Sequence, residues 1–255
     1  MSRPIRCSIV AIVLVPTVLG GGAALGQGAE PSGPASSGAA TGSATPATPL
    51  PSDPLAPILS EDFTSPSDEW WTGTEPGEST SFSFGSLRTV LSDGPRSTWQ
   101  WMELPVPMDA VSVEGTVTLD QGSGGGGVTC GPSDDIGHWL WGGFNSDGQW
   151  LLGRLVDGGL RVDARGELPL VRDPDAPVGG ALPVALRLDC TADREGAEGR
   201  AALWTKGVRV GEVPVPGTGP FGKAGFLTAI DDGPLTILFD DLVVRDLPGD
   251  DATTP

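Results

Sequence analysis

Turn-forming dipeptides return at short, regular intervals along most of this chain, and that rhythm limits what it can fold into. Asp93-Gly94-Pro95, Asp147-Gly148, Asp157-Gly158-Gly159, Lys206-Gly207 and Asp232-Gly233-Pro234 each favour a tight reversal. Between such signals lie runs that alternate apolar and polar residues. VSVEGTVTL (111–119) places Val111, Val113, Gly115, Val117 and Leu119 on one face. PVALRLDC (183–190) does the same with Val184, Leu186, Leu188 and Cys190, and LTILFDDLVV (235–244) opens as a nearly continuous apolar strand. A period of two is the signature of half-buried strands, and no 3.6-residue apolar stripe competes with it. With 39 glycines and 25 prolines, long helices are also excluded on propensity. The expectation is an all-β sandwich or barrel of about a dozen strands.

The ends of the chain read differently. Residues 1–26 carry Arg3 and Arg6, an apolar run from Ser8 to Leu19, and the small residues Ala24-Leu25-Gly26 before Gln27. This is the pattern of an export signal, with an uncleaved N-terminal membrane anchor as the alternative. Residues 27–56 are rich in Pro, Ser, Gly, Ala and Thr without any aromatic residue, the composition of a disordered tether. Residues 57–247 make one folded domain, and 248–255 a frayed tail. The expected location is therefore extracellular, with N-terminal anchoring as the alternative.

The net charge is −18, and it becomes two units more negative once Arg3 and Arg6 are removed with the signal. Such a field repels nucleic acid and anionic membrane surfaces and suits a soluble monomer, with no membrane insertion of the mature domain. Of three cysteines, Cys7 lies in the export segment, which leaves Cys130 and Cys190 as a pair expected to close a disulfide in an oxidising compartment. Two cysteines and a single histidine do not make a zinc site.

Several segments, taken in order, resemble the concanavalin A-like jelly-roll domains of secreted bacterial proteins, including LamG-like, laminarinase-type and 3-keto-disaccharide hydrolase-like members. They are ILSEDF (58–63), GGGGVTC (124–130), HWLWGGFNSDGQWLLGRL (138–155), PVALRLDC followed by AALWTKGVRVGEV (201–213), GPFGKAGFLT (219–228) and LTILFDDLVVRDL (235–247). Lys206-Gly207 departs from the Asn-Gly turn of those domains. The resemblance spans the whole folded region and implies a two-sheet antiparallel jelly-roll sandwich. It also implies adjacent terminal strands, which would bring Glu61 and Asp62 near Asp240 and Asp241 as a candidate structural Ca²⁺ site. Surface solvation is the ordinary alternative for those four acids.

Catalytic patterns are poor. A glycoside hydrolase needs two carboxylates astride the scissile bond, and laminarinase-type enzymes carry them as Glu-x-Asp-x-x-Glu. The nearest string here, Asp193 to Glu198, has a different acidic order and falls between two strands, as a solvated turn does. His138 is the sole imidazole, and no Gly-x-Ser-x-Gly elbow accompanies it, so no catalytic residue is assigned. The run Gly124–Gly127 lacks the Lys-Ser/Thr of a phosphate loop and reads as a strand start where backbones approach closely.

Tryptophan carries the stronger signal. Trp99 and Trp101 share one face of their strand, as do Trp139 and Trp141. A two-residue turn at Asp147-Gly148 would set Trp141 opposite Arg154 and gather Trp139, Trp141, Trp150, Leu152 and Arg154 on one face. Aromatic rings either stack on sugars or fill the space between sheets. The leading expectation is a secreted, non-catalytic module binding a polysaccharide or cell-envelope ligand on its concave sheet. Its ligand-binding residues would be Trp139, Trp141, Trp150 and Arg154, with Trp99 and Trp101 beside them. The alternatives are a glycoside hydrolase or 3-keto-glycoside hydrolase-like enzyme, and a structural or protein-interaction module of the cell envelope.

Overall fold

The computed structural model describes residues 8–9, 56–132, 139–156, 159–168, 183–194, 198–230 and 232–247. Apart from Ser8, Ile9 and Ala56, the export segment and tether lie outside the described residues, as do the tail and His138. No helix among the described residues is long and apolar enough to cross a membrane.

The described strands are β1 (Ser8–Ile9), β2 (Leu59–Glu61), β3 (Gly73–Glu75), β4 (Glu78–Ser83), β5 (Ser86–Leu91), β6 (Arg96–Met108), β7 (Ala110–Gly122), β8 (Gly125–Pro132), β9 (Leu140–Asn145), β10 (Gln149–Val156), β11 (Gly159–Glu167), β12 (Pro183–Thr191), β13 (Arg200–Thr205), β14 (Val208–Pro214), β15 (Phe221–Ile230) and β16 (Leu235–Asp246). They form two antiparallel sheets. One runs β1-β6-β15-β8-β9-β10-β11; the other runs β14-β13-β12-β7-β16-β5-β4-β3, with β2 also paired to β16. The architecture is the expected all-β jelly-roll sandwich. The count exceeds a dozen because β1, β2 and β3 are only two or three residues long, too short to show a period.

The alternating runs point where the period indicated. Val111, Val113 and Val117 of β7, and Val184, Leu186, Leu188 and Cys190 of β12, are all buried between the sheets. Burying each such side chain contributes roughly 1.5–3 kcal/mol. Gly115 keeps the same parity, and a Cβ there would come within 2.8 Å of the Phe226 ring. In β16, Leu235, Ile237 and Phe239 face inward, then a bulge between Asp240 and Val243 resets the parity so that Leu242 and Val244 also face inward. Asp241 occupies the left-handed region at φ 53° in this bulge, which accounts for two consecutive acids in an otherwise apolar strand.

Cys130 of β8 and Cys190 of β12 are joined by a disulfide, with Cα atoms 6.8 Å apart, tying one sheet to the other through the core. Lys206-Gly207 does form the two-residue loop its position suggested. Thr205 pairs with Val208, and both loop residues have positive φ, 49° and 74°. Lysine thus tolerates the left-handed position that Asn would occupy more readily.

Candidate functional site

The two faces of the seven-stranded sheet carry different apolar clusters. Its inner face gives Val128, Cys130, Leu140, Phe144, Leu152 and Phe226 to the main core. Its outer face carries a second cluster of Trp99, Trp101, Trp139, Trp141, Leu155 and Leu227, with Leu151 and Leu160 packed against it.

The register explains how these side chains meet. One row across the sheet runs Trp101, Gly225, Thr129, Trp141, Gly153 and Val162 from β6 to β11. The next runs Trp99, Leu227, Gly127, Gly143, Leu151 and Arg165. On the other side of the first row, Lys223 stands between Glu103 and Gly131. Glycines therefore pave the floor between the tryptophans of β6 and those around β9. A Cβ on Gly131 would lie 2.6 Å from the Trp139 indole, so that ring rests directly on backbone. The Trp101 and Trp139 ring centroids meet at 5.2 Å with an interplanar angle of 57°. The four rings are 2–8% exposed; they pack on one another and on the floor and do not present open faces.

Several polar groups of this face lack partners among the described residues. Trp99 Nε1, Trp141 Nε1, Thr129 Oγ1 and Ser97 Oγ are all buried and make no hydrogen bond among the described residues. Ser97 shares the parity of Trp99 and Trp101 on β6. Lys223 is 7% exposed; its Nζ lies 5.9 Å from the Trp101 centroid and 4.0 Å from Glu103 Oε1, beyond hydrogen-bond reach. Leaving each such buried group unmatched costs about 1–3 kcal/mol, more when it is charged.

The β9–β10 hairpin corrects one expectation. Trp141 is opposite Gly153, and Arg154 is opposite Leu140, one residue away from the anticipated register. The loop has three residues, Ser146-Asp147-Gly148, with Gly148 at φ 77° and Gly148 N donating to Asn145 O at 3.1 Å. A one-residue slip exchanges the faces of a strand. Trp139 and Trp141 therefore lie outside, while Trp150, Leu152 and Arg154 point the other way. Trp150 plugs the gap between sheets, near Gly166 of β11 and Gly211 of β14. Arg154 is committed to Asp163, Nε to Oδ2 at 2.9 Å, and Arg161 reaches the same carboxylate at 2.9 Å. Trp150 and Arg154 thus leave the tryptophan face, whereas Ser97, Thr129 and Lys223 join it. Alternation along GGGGVTCGP and FGKAGFL carried that signal, since Thr129 falls in step with Gly127 and Lys223 with Leu227.

The acidic junction is brought together but does not fit a calcium centre. Glu61 pairs with Leu242, so the terminal strands are adjacent. Glu61 Oε1 accepts from Phe63 N at 3.0 Å, and Asp62 Oδ1 accepts from Thr64 N at 3.0 Å and Thr64 Oγ1 at 2.8 Å. Those two Thr64 donors hold the Asp62 carboxyl below its ordinary value. Asp240 Oδ1 accepts from Asp241 N at 2.8 Å. Partial burial pushes the Asp240 carboxyl above its ordinary value, assisted by the charges of Asp241 and Asp62 and opposed by the Asp241 N–H. Among the described residues no three His, Cys, Asp or Glu side chains converge as ligands, and calcium needs six to eight oxygens.

Hydrolase geometry is also lacking at the described part of this face. Glu103 and Glu167 lie on β6 and β11, five strand steps apart. At about 4.8 Å per step that is roughly 24 Å, against the 5–9.5 Å of glycosidase carboxylate pairs. Asp193, in the string resembling a catalytic motif, instead accepts backbone N–H groups from Gly199 and Gly217 and ties a loop together.

No protein-family model matches the sequence, and no curated protein matches it. Solved structures do match. A sialidase superposes with a TM-score of 0.52 at 12% identity over 75% of this chain, which spans 19% of that protein. A Bacillus subtilis protein of unknown function with a galectin-like fold gives 0.50 at 17% identity, covering 75% of this chain and 96% of that one. The non-specific endo-beta-1,3(4)-glucanase SCLam of family GH16 gives 0.50 at 10% identity, covering 77% and 92%. At these identities the likeness concerns fold alone, and the fold is that of a concanavalin A-like jelly-roll sandwich.

Proposed function

We propose that this domain is an exported, non-catalytic saccharide-binding module that takes its ligand on the outer face of the seven-stranded sheet. The observation that carries the reading is the set of buried, unpartnered polar atoms on Ser97, Trp99, Thr129 and Trp141, gathered among indoles on one face. Sugars offer what such a face lacks, hydroxyl oxygens that accept from N–H groups and apolar C–H surfaces that pack on indoles. Ligand entry separates the touching Trp101 and Trp139 rings and gives Trp99 and Trp141 their acceptors. The fold shared with a sialidase domain and a glucanase is compatible with such a ligand. The disulfide suits an oxidising, extracytoplasmic setting.

The test is affinity electrophoresis against a panel of soluble polysaccharides, using the wild type, Trp99→Phe and Trp141→Phe. Phenylalanine keeps an aromatic ring and deletes the N–H. Each substitution is expected to weaken retention about tenfold, the size of one lost hydrogen bond, with far-ultraviolet circular dichroism confirming that the fold is kept. Absence of retention on every polysaccharide, or full retention by both variants, overturns the reading.

A further inference from the structure

Resting on that saccharide reading, we infer that the ligand is anionic, a carboxylate-bearing sugar such as a uronate, and that Lys223 is the residue that selects it.

The polar groups of the face are lopsided. Trp99 Nε1 and Trp141 Nε1 can only donate, and Thr129 and Ser97 offer hydroxyls that donate as readily as they accept. Lys223 adds an ammonium with three donors and no acceptor capacity. Glu103, its neighbour across the β6–β15 pairing, is half exposed at 49% and belongs to the rim. A face of donors with one rim carboxylate calls for a ligand richer in acceptors than a neutral sugar.

The setting of Lys223 points the same way. Its side chain is 9% exposed, and its Nζ sits beside the Trp101 ring. A buried ammonium normally has close partners, because removing it from water costs several kcal/mol without them. Among the described residues the one carboxylate paired with it, that of Glu103, stands at 4.0 Å, beyond hydrogen-bond distance. In a chain of net charge −18, Lys223 is the one buried lysine or arginine among the described residues. A carboxylate entering between Trp101 and Gly131 would meet it at hydrogen-bond distance and displace Glu103 toward solvent.

The experiment measures binding of the full domain, by titration calorimetry, to polygalacturonate, alginate and glucuronoxylan. Each is compared with its carboxyl-reduced, neutral counterpart. The wild type is expected to prefer an acidic form by about tenfold, the worth of one charge-assisted hydrogen bond. Lys223→Met is expected to erase that preference, with near-ultraviolet circular dichroism confirming its fold. Glu103→Gln, at a half-exposed site, removes the competing carboxylate and is expected to tighten the acidic form a few-fold without affecting the neutral one. Equal affinity for acidic and neutral forms, or a preference that persists in Lys223→Met, overturns the inference and leaves the saccharide reading standing. A Glu103→Gln change with no effect on the acidic form also overturns it. Failure to bind any polysaccharide overturns both.

Discussion

At the scale of single residues, the face is defined by what is absent as much as by what is present. Gly131 is glycine because the Trp139 indole occupies the space where its Cβ would be, at 2.6–2.9 Å from three ring carbons. Gly127 and Gly143 are constrained by backbone, since a Cβ at either would meet a carbonyl oxygen of the neighbouring strand at 2.2 Å. Gly131→Ala should push Trp139 off its floor and cost about 1–3 kcal/mol, the range for overpacking a fitted site. Chemical denaturation will show it as a lower midpoint at unchanged slope, and an unchanged midpoint would mean that the ring is free to move. Each tryptophan pair could be placed on one face of its own strand from spacing alone. That their rings are covered could not, because spacing states a direction and says nothing of what lies above a side chain. For Lys223, alternation gave the face but not the burial: a lysine in an apolar strand ordinarily snorkels to water, whereas this one is 7% exposed with its Nζ beside the Trp101 ring.

At the scale of the element, the β9–β10 hairpin shows how a small choice in a turn redistributes a whole strand. Asp-Gly serves both a two-residue loop with positive φ at each residue and a three-residue loop with positive φ at glycine only. The second is realised here: Gly148 has φ 77°, and Asp147 is not among the residues of positive φ. Ser146 settles the matter from outside the hairpin, since its N donates to Gly124 O at 2.8 Å and its Oγ accepts from Gly124 N at 3.3 Å. Gly148→Ala should therefore cost about 1 kcal/mol although nothing crowds the site, while Asp147→Ala should cost under about 0.5 kcal/mol. Equal losses at the two positions in thermal melts would favour the two-residue loop and restore Arg154 to the tryptophan face. The same reasoning explains the acidic pair in β16, where the bulge at Asp240 could not be anticipated from a pattern that presumes uninterrupted alternation.

At the scale of the whole molecule, the two sheets are held by their shared core and by one covalent link. Cys130 and Cys190 are 60 residues apart, and closing a loop of that length stabilises the fold by about 4 kcal/mol in the chain-entropy description. Replacing both by alanine should lower the free energy of unfolding by about that much, with the cavities left by two small side chains adding little. Guanidinium titrations of the two proteins would measure it, and coincident curves would show that the link is incidental. Alternation, turn chemistry and cysteine count were enough, from the sequence alone, to point to an all-β sandwich or barrel, the inward faces of β7 and β12, and the disulfide partners, while the choice of a two-sheet jelly roll came from the resemblance of the ordered segments. Those properties are local or follow from elimination among few residues. Tertiary structure alone decided that the Trp99/Trp101 pair and the Trp139/Trp141 pair meet on one face of the sheet, that Trp150 and Arg154 point away from it, and that the strand faces carrying Lys223, Thr129 and Ser97 are the ones that line it. Strand register and neighbour identity are set by contacts between segments distant in the chain, and no spacing along one strand records them.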